Sequence, residues 1–302
     1  MTQKVLVTGG AGQVGIEISR LEWPGGVEVV APGRDELDIT NANSVARYFS
    51  DVRPACVINL AAYTAVDKAE EDVAGAFLAN AQGPALLAEA ARRADAPIVH
   101  VSTDYVFDGS ATQPYRECDR PHPVNAYGAS KLAGELAVGA ANPRAIIVRT
   151  AWVLSAHRTN FIKTMLRLAS TSPEVRVVDD QRGCPTSASD IALALQRITD
   201  RAMSDAATAW GVYHFVNAGE TSWHGLAEHI FSWRAAHGGA QQPRVHPITT
   251  ADYPTPARRP HYSCLDTSRI AEAFGIVPRP WQQAVDEILS ELASIEEQGR
   301  QA

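Results

Sequence analysis

The chain has 302 residues, enough to bury about three quarters of its unfolded surface in one large core or two unequal ones. Its composition, 45% hydrophobic and 20% charged, is that of an ordinary globular protein, and a net charge of −7 excludes a nucleic-acid or membrane-surface binder as the default. Neither partner is expected, and an anionic ligand would need a local site of arginines or backbone amides.

Val5-Leu6-Val7 reads as a buried strand, and the glycines at 9, 12 and 15 follow it with Gly-x-x-Gly-x-x-Gly spacing before a helix pattern opens at Ile16. That spacing permits a tight turn, close backbone approach to a pyrophosphate and close helix-to-strand packing, and strand before with helix after is the context a dinucleotide turn requires. The second strand, over 27–31, ends at Pro32-Gly33-Arg34, about twenty residues past the turn, where an acidic residue would bind a ribose 2′-hydroxyl and a small residue followed by Arg accepts a 2′-phosphate. Gly33 with Arg34 leans towards NADPH, with NADH as the other candidate. Asp38, next to Ile39, either meets the adenine edge or caps a helix over 44–49.

A third buried strand, over 55–60, ends in Ala61-Ala62-Tyr63, small residues that let a flat ring lie across the sheet. A polar helix over 72–93 carries Asn80 and leads to the fourth strand, over 97–101, which ends in Ser102-Thr103-Asp104-Tyr105-Val106-Phe107. Thr103 either hydrogen-bonds a substrate carbonyl or only caps the strand end. Next comes Tyr127-Gly-Ala-Ser-Lys131, whose spacing of four on a helix puts phenol and ammonium on one face, roughly 5–6 Å apart at Cβ. Lowering a Tyr from pKa ~10 by about three units takes roughly 4 kcal/mol of preferential phenolate stabilisation, and a fixed Lys is one source of it.

Residues 145–150 form a further strand, followed by Ala151-Trp152-Val153. Strands alternating with helices of this length imply a parallel sheet. From about residue 155 the alternation weakens, so a cofactor-binding part over 1–150, with part of 175–215 returning to it, is expected to give way to a mainly substrate-binding part over 151–302. Asn160 precedes an amphipathic helix, residues 175–178 read as a strand, the helix over 191–199 starts at Ser189 or Asp190, and residues 223–236 read as helical. Residues 253–260, Tyr-Pro-Thr-Pro-Ala-Arg-Arg-Pro, form a pinned loop displaying Arg258 and Arg259, either a rigid surface linker or a clamp for phosphate oxygens.

Four scattered cysteines without a Cys-x-x-Cys pair suggest neither zinc nor a disulfide framework, and no leader or membrane-spanning run is evident, so a cytoplasmic protein is expected. His224 and His229, five apart, do not share a helical face, and neither His-Glu-x-x-His nor Gly-x-Ser-x-Gly occurs.

The glycine turn, Ser102-Thr103 and Tyr127-x-x-x-Lys131 together resemble the extended short-chain dehydrogenase/reductase superfamily. Within it, the stretches 64–70, 102–107, 161–168 and 253–260 are similar to the dTDP-4-dehydrorhamnose reductase family, over nearly the whole chain. The resemblance implies a Rossmann-type doubly wound parallel sheet with a smaller C-terminal substrate-binding α/β domain. It implies that Thr103, Tyr127 and Lys131 are catalytic, Lys131 also holding the nicotinamide ribose of the cofactor; that Gly9, Gly12, Gln13, Val14 and Gly15 hold a pyrophosphate while Ala61, Ala62 and Tyr63 flank the cofactor; and that Tyr105, with Val106, Phe107, Trp152, Asn160 and Arg258, meets the dTDP-sugar substrate. The implied reaction is NADPH-dependent reduction of the C4 ketone of a dTDP-4-keto-6-deoxy-L-sugar. A homodimer is a candidate assembly. Glu17 stands where family members with a magnesium-dependent dimer place a ligand, but no acidic partner follows Thr186, and no metal is expected.

The chain departs from the family pattern at Gly33, where Asp is common, and at Leu154-Ser155, where Tyr-Gly usually follows Trp-Val. The second change is expected beside the sugar and leaves open a related antibiotic-sugar reductase such as a dTDP-dihydrostreptose synthase. A nucleotide-sugar epimerase or dehydratase, and a non-catalytic regulatory subunit of the same fold, are the remaining alternatives.

Overall fold

The alternation of Val5 and Val7 against Leu6 in the first strand, β1 (Gln3–Thr8), decides the architecture, because successive side chains of a strand leave on opposite faces and all three are fully buried. A strand apolar on both faces must be covered on both. In the computed structural model, which describes residues 2–205, 208–238 and 242–301, it is.

The elements follow in chain order as β1, α1 (Gln13–Arg20), β2 (Val27–Val30), α2 (Ala42–Val52), β3 (Cys56–Asn59), α3 (Val73–Phe77), α4 (Gly83–Arg93), β4 (Ile98–Thr103), α5 (Ala126–Ala141), β5 (Ala145–Thr150) and β6 (Val153–Leu154). Then come α6 (Phe161–Thr171), β7 (Glu174–Val178), β8 (Arg182–Gly183), β9 (Thr186–Ser187), α7 (Ala188–Ser204), β10 (Gly211–His214), β11 (Thr221–Ser222), α8 (Trp223–Ala236), β12 (Arg244–Ile248), α9 (Ser268–Phe274) and α10 (Trp281–Gln301). Six strands form one sheet in the order β10-β5-β4-β3-β1-β2, every pair parallel. Val5, Val7 and Ile58 pack with Ile18 of α1, Ile191, Leu195 and Ile198 of α7, and Ile270 of α9. On the other face Leu6, Val57 and Ile98 pack with Val45 and Phe49 of α2, Leu87 and Ala91 of α4, and Val138 of α5. This is the doubly wound Rossmann-type sheet. The order reverses between β1 and β3, so their carboxyl ends splay apart into the crevice where such folds bind ligands.

A second core joins Ile162 and Met165 of α6, Val175 and Val177 of β7, Leu226 and Ile230 of α8, and Val285, Ile288 and Leu289 of α10. Here β7 pairs in parallel with β12.

Three local readings change. The helix expected over 72–93 is broken by a π-helical stretch, Leu78–Gln82, that turns Asn80 inward until it is fully buried. The cap of α2 is Asn41, whose side chain accepts from the amides of Asn43 and Ser44, and not Asp38. The cap of α7 is Ser187, two residues ahead of the expected start. No described helix is long and apolar enough to cross a membrane.

Candidate active site

At the crevice, Gly9 has φ of 74°, and a Cβ there would stand 2.7 Å from the Ala61 amide nitrogen, so the turn and the end of β3 touch only because Gly9 has no side chain. A Cβ on Gly15 would lie 2.5 Å from both the Gly9 carbonyl oxygen and the Gly10 Cα, which is how α1 begins directly against the turn. Beyond this contact opens a cavity of about 490 Å³, lined by Gly9, Gly12, Gly33, Arg34, Asp38, Ile39, Ala61, Ala62 and Tyr63 among others. Of the residues expected to hold a cofactor, Gln13, Val14, Gly15 and Lys131 do not line it. Val14 packs on the core, and Gln13 Oε1 accepts from Ser155 Oγ and Asn160 Nδ2, both at 2.9 Å.

The cavity fits an extended dinucleotide: a glycine turn at a helix N-terminus at one end, small residues in the middle, and Arg34 on the rim with no ion pair to any described residue. Asp38 accepts from the Thr40 amide at 3.0 Å and its hydroxyl at 2.7 Å, bonds that hold its carboxyl below the usual range. One feature was absent from the sequence reading: the Gly33 amide donates to Glu36 Oε2 at 2.8 Å, which puts a carboxylate in the turn even though position 33 has no side chain.

Thr103 ends β4, and Tyr127 and Lys131 lie on the first two turns of α5, which Asn125 caps by accepting from the Gly128 amide at 2.7 Å. The Thr103 hydroxyl faces the Tyr127 phenol. The electrostatics differ from the expectation. Burial pushes Tyr127 up to about 12, against the pull of Thr103 and with the Asp104 charge adding to the rise. Lys131, pulled down to about 8 by burial and supported by the Glu135 charge, donates to the Val101 carbonyl at 2.7 Å. Before ligands bind, the pair therefore does not create a phenolate; it keeps a neutral phenol beside a buried ammonium, and the neutral phenol is the form a proton donor needs.

Tyr105 meets Tyr127 edge-on, ring centroids 5.6 Å apart, and its hydroxyl faces Arg259. It is Arg259 that reaches this side, paired with Asp67 at 2.9 Å, whereas Arg258 is exposed and engages only through its carbonyl, which accepts from Asn125 Nδ2 at 2.7 Å. The loop turns one of two adjacent side chains inward, and Asp67 chooses which, leaving the Arg258 guanidinium facing solvent. Val106 and Phe107 are corrected. Both are wholly buried, Phe107 stacked on Tyr115 at 4.1 Å under the Arg149 guanidinium, and neither has surface left for a sugar.

Trp152, with φ of 46°, stacks on Trp223 at 3.5 Å, and a Cβ on Gly183 would come within 2.4 Å of its ring. Asn160 spends its carbonyl on capping α6 and its amide on Gln13 and Ser155, so it struts the glycine turn. Leu154 and Ser155 are both 1% exposed, which removes that departure from the family pattern from the pocket wall. Glu17 is engaged by Arg20 at 3.4 Å, and among the described residues no group of three His, Cys, Asp or Glu side chains is placed to hold a metal.

Two buried polar ties escaped the sequence reading. Asn59 accepts from Thr8 Oγ1 at 2.6 Å and the Ala61 amide at 3.1 Å, and donates to His100 Nδ1 at 2.9 Å. Asn80 accepts from the Tyr63 amide at 2.7 Å and donates to the Tyr63 carbonyl and to Ser130 Oγ. For Asn59 the sequence signal was a polar residue inside an apolar strand; Asn80, in a helix read as polar, carried none.

A doubly wound sheet with a glycine turn at its switch point and a Thr, Tyr and Lys assembled beside the cavity defines a nucleotide-dependent reductase of the short-chain dehydrogenase type. The RmlD substrate binding domain family model matches residues 3–294. A dTDP-4-dehydrorhamnose reductase from Burkholderia thailandensis is 47% identical over 297 residues, covering 96% of this chain and 99% of the relative. Among solved structures, a dTDP-4-dehydrorhamnose reductase from Clostridium acetobutylicum superposes with a TM-score of 0.90 at 40% identity, covering 96% of this chain and all of that one. The Bacillus anthracis enzyme of the same name, in complex with NADP, gives 0.89 at 34% identity with the same coverage. The chain belongs to the dTDP-4-dehydrorhamnose reductase family.

Proposed function

We propose that this chain reduces the C4 ketone of a dTDP-4-keto-6-deoxy-L-sugar, dTDP-4-dehydrorhamnose to dTDP-L-rhamnose, at the expense of NADPH. The observation that carries the reading is the convergence of buried Thr103 at the end of β4 with half-buried Tyr127 and buried Lys131 of α5, beside the glycine-lined cavity, in a chain of this family. Gly9, Gly12, Ala61, Ala62 and Tyr63 would hold the dinucleotide, with Arg34 at its 2′-phosphate. Bound there, it supplies the hydride. Tyr127, kept neutral by desolvation, gives its proton to the carbonyl oxygen as that oxygen gains charge, and Thr103 donates a second hydrogen bond to the same atom. Lys131 supplies the cation that makes the resulting phenolate tolerable, and solvent returns the proton. Tyr105, Trp152 and Arg259 border the sugar side, and the part of the chain over 151–302 completes the substrate pocket around the dinucleotide part over 1–150, to which part of 175–215 returns.

The test is turnover. With dTDP-4-dehydro-L-rhamnose and NADPH the protein should consume reduced nicotinamide in equal measure with sugar, and the product should carry the L-rhamno configuration by NMR. No oxidation of either NADPH or NADH would sink the reading, and a nicotinamide that stays bound without net oxidation would point to an epimerase.

A further inference from the structure

Asp104 is the buried charge this mechanism leaves unused. It follows Thr103 at the end of β4, is 2% exposed, and forms one hydrogen bond of good geometry, at 2.9 Å between its Oδ1 and Thr103 Oγ1; its Oδ2 has no partner at bonding distance. The groups that face it are Tyr127 from α5, the Ser263 hydroxyl from the segment before α9, and Tyr105 of its own turn, behind which stands Arg259. Burial, outweighing the donors around it, pushes its carboxyl up to about 6.

Counting donors decides what it does. Thr103 has one proton and two lone pairs, and one lone pair already accepts from the Tyr105 amide at 3.2 Å. If Asp104 is ionised, the single Thr103 proton is committed to the carboxylate, nothing remains to donate to a ketone, and the free lone pair competes for the Tyr127 proton. If Asp104 is protonated, its acid proton satisfies that lone pair and the Thr103 proton is released towards the substrate, while Oδ2 can still accept from the Ser263 hydroxyl that faces it. An anion beside Tyr127 would also oppose the phenolate that forms during reduction, as the upward push of Asp104 on Tyr127 shows.

We infer that Asp104 is a positioning residue that works as a neutral carboxylic acid, donating to Thr103 Oγ1 and thereby aiming the Thr103 hydroxyl at the substrate ketone. The inference rests on the reductase reading above and assigns Asp104 a protonation state within it. An uncharged carboxyl kept as a donor by an apolar site is a known catalytic device in unrelated folds.

The experiment is the pH profile of kcat under saturating NADPH and dTDP-4-dehydro-L-rhamnose for the native protein and for Asp104→Asn, whose amide donates as the acid does but cannot ionise. The native rate should fall about tenfold per pH unit above a midpoint near pH 6, below the range near pH 8 in which Lys131 loses its proton. Asp104→Asn should keep a rate within about tenfold of the native plateau and lose the fall between about pH 6 and 8, leaving only the one near pH 8. A variant that keeps the fall, or a native rate that rises through the same range, overturns the inference while leaving the reductase reading standing; a native protein without turnover overturns both. Should Asp104→Asn fail to fold, carbon-13 NMR of the aspartate-labelled native protein with NADP⁺ and dTDP bound decides instead. One aspartate carboxyl must remain protonated after the others have titrated, and full ionisation of every aspartate below about pH 5 overturns the inference.

Discussion

Glu135 and Arg149 form an ion pair with both side chains almost wholly buried, 3% and 4% exposed, closed by two bonds of 2.9 and 2.7 Å. Glu135 lies one turn beyond Lys131 on α5, and Arg149 lies on β5, so the pair fastens the helix that carries Tyr127 to the sheet. Arg149 has little else to satisfy it: His214 Nε2 at 3.4 Å, held neutral by burial and by Arg149 itself, and the Phe107 ring at 5.1 Å. Removing one partner of such a pair strands the other charge in the core, a loss of about 3–5 kcal/mol. Glu135→Leu should therefore lower the unfolding midpoint on the order of 10 °C for a chain of this size. Glu135→Leu combined with Arg149→Met should recover most of the loss, because two apolar side chains of similar volume replace a pair that had to be desolvated. Thermal and urea unfolding of the two variants, followed by circular dichroism, measures both. A loss below about 1 kcal/mol in the single variant, or a double variant no better than the single, would refute the argument that the charge matters more than the volume.

Three further outcomes are expected. Tyr127→Phe should lose about 10²–10⁴-fold in kcat while still binding NADPH by fluorescence, and a retained rate would remove Tyr127 as the acid. Gly33→Asp should move the ratio of kcat/KM for NADPH over NADH towards NADH, by adding a second carboxylate to the one Glu36 already places in that turn; an unchanged ratio would mean that Gly33 and Arg34 do not read the phosphate. Lys131 is pulled down to about 8, so raising pH through that value removes the cation that offsets the phenolate, and kcat/KM should fall there even in Asp104→Asn. The same shift means the unfolded chain binds more protons between about 8 and 10.5, so stability should rise over the range in which activity is lost.

The sheet was legible because its signals are local. Val5, Leu6 and Val7 announce a strand buried on both faces, and the glycines at 9, 12 and 15 carry their structural reason in their spacing, as the contacts of Gly9 and Gly15 show. Tyr127 and Lys131 were legible as neighbours for the same reason, but their electrostatics were not, since burial is a property of the folded surroundings and not of the motif. Val106 and Phe107 were misread because adjacency to Thr103 and Tyr105 in sequence says nothing about direction: the short turn at Asp104–Val106 sends Tyr105 towards Tyr127 and the next two residues into the core. Arg258 and Arg259 were indistinguishable until Asp67, some 190 residues away, selected one of them. The Glu36 contact with Gly33 was hidden in a turn whose conformation no pattern encodes.

What the sequence could least supply is the reason the two halves of the site stay in register. Tyr63 lines the cavity, Tyr127 stands on α5, and nothing in their spacing connects them. Asn80 does, with one amide group: it accepts from and donates to the Tyr63 backbone, and its second N–H reaches Ser130 Oγ, which in turn donates to the Tyr127 carbonyl at 2.7 Å. A regular α-helix through this region would carry Asn80 at a different angle, and the extra residue of the π-helical stretch Leu78–Gln82 resets it. Such an amide, buried with bonds to two backbone groups and a hydroxyl, is rigid because any displacement breaks several bonds at once in a low-dielectric site. The helical irregularity that interrupts the expected 72–93 helix is thus what couples the dinucleotide side of the crevice to the proton donor.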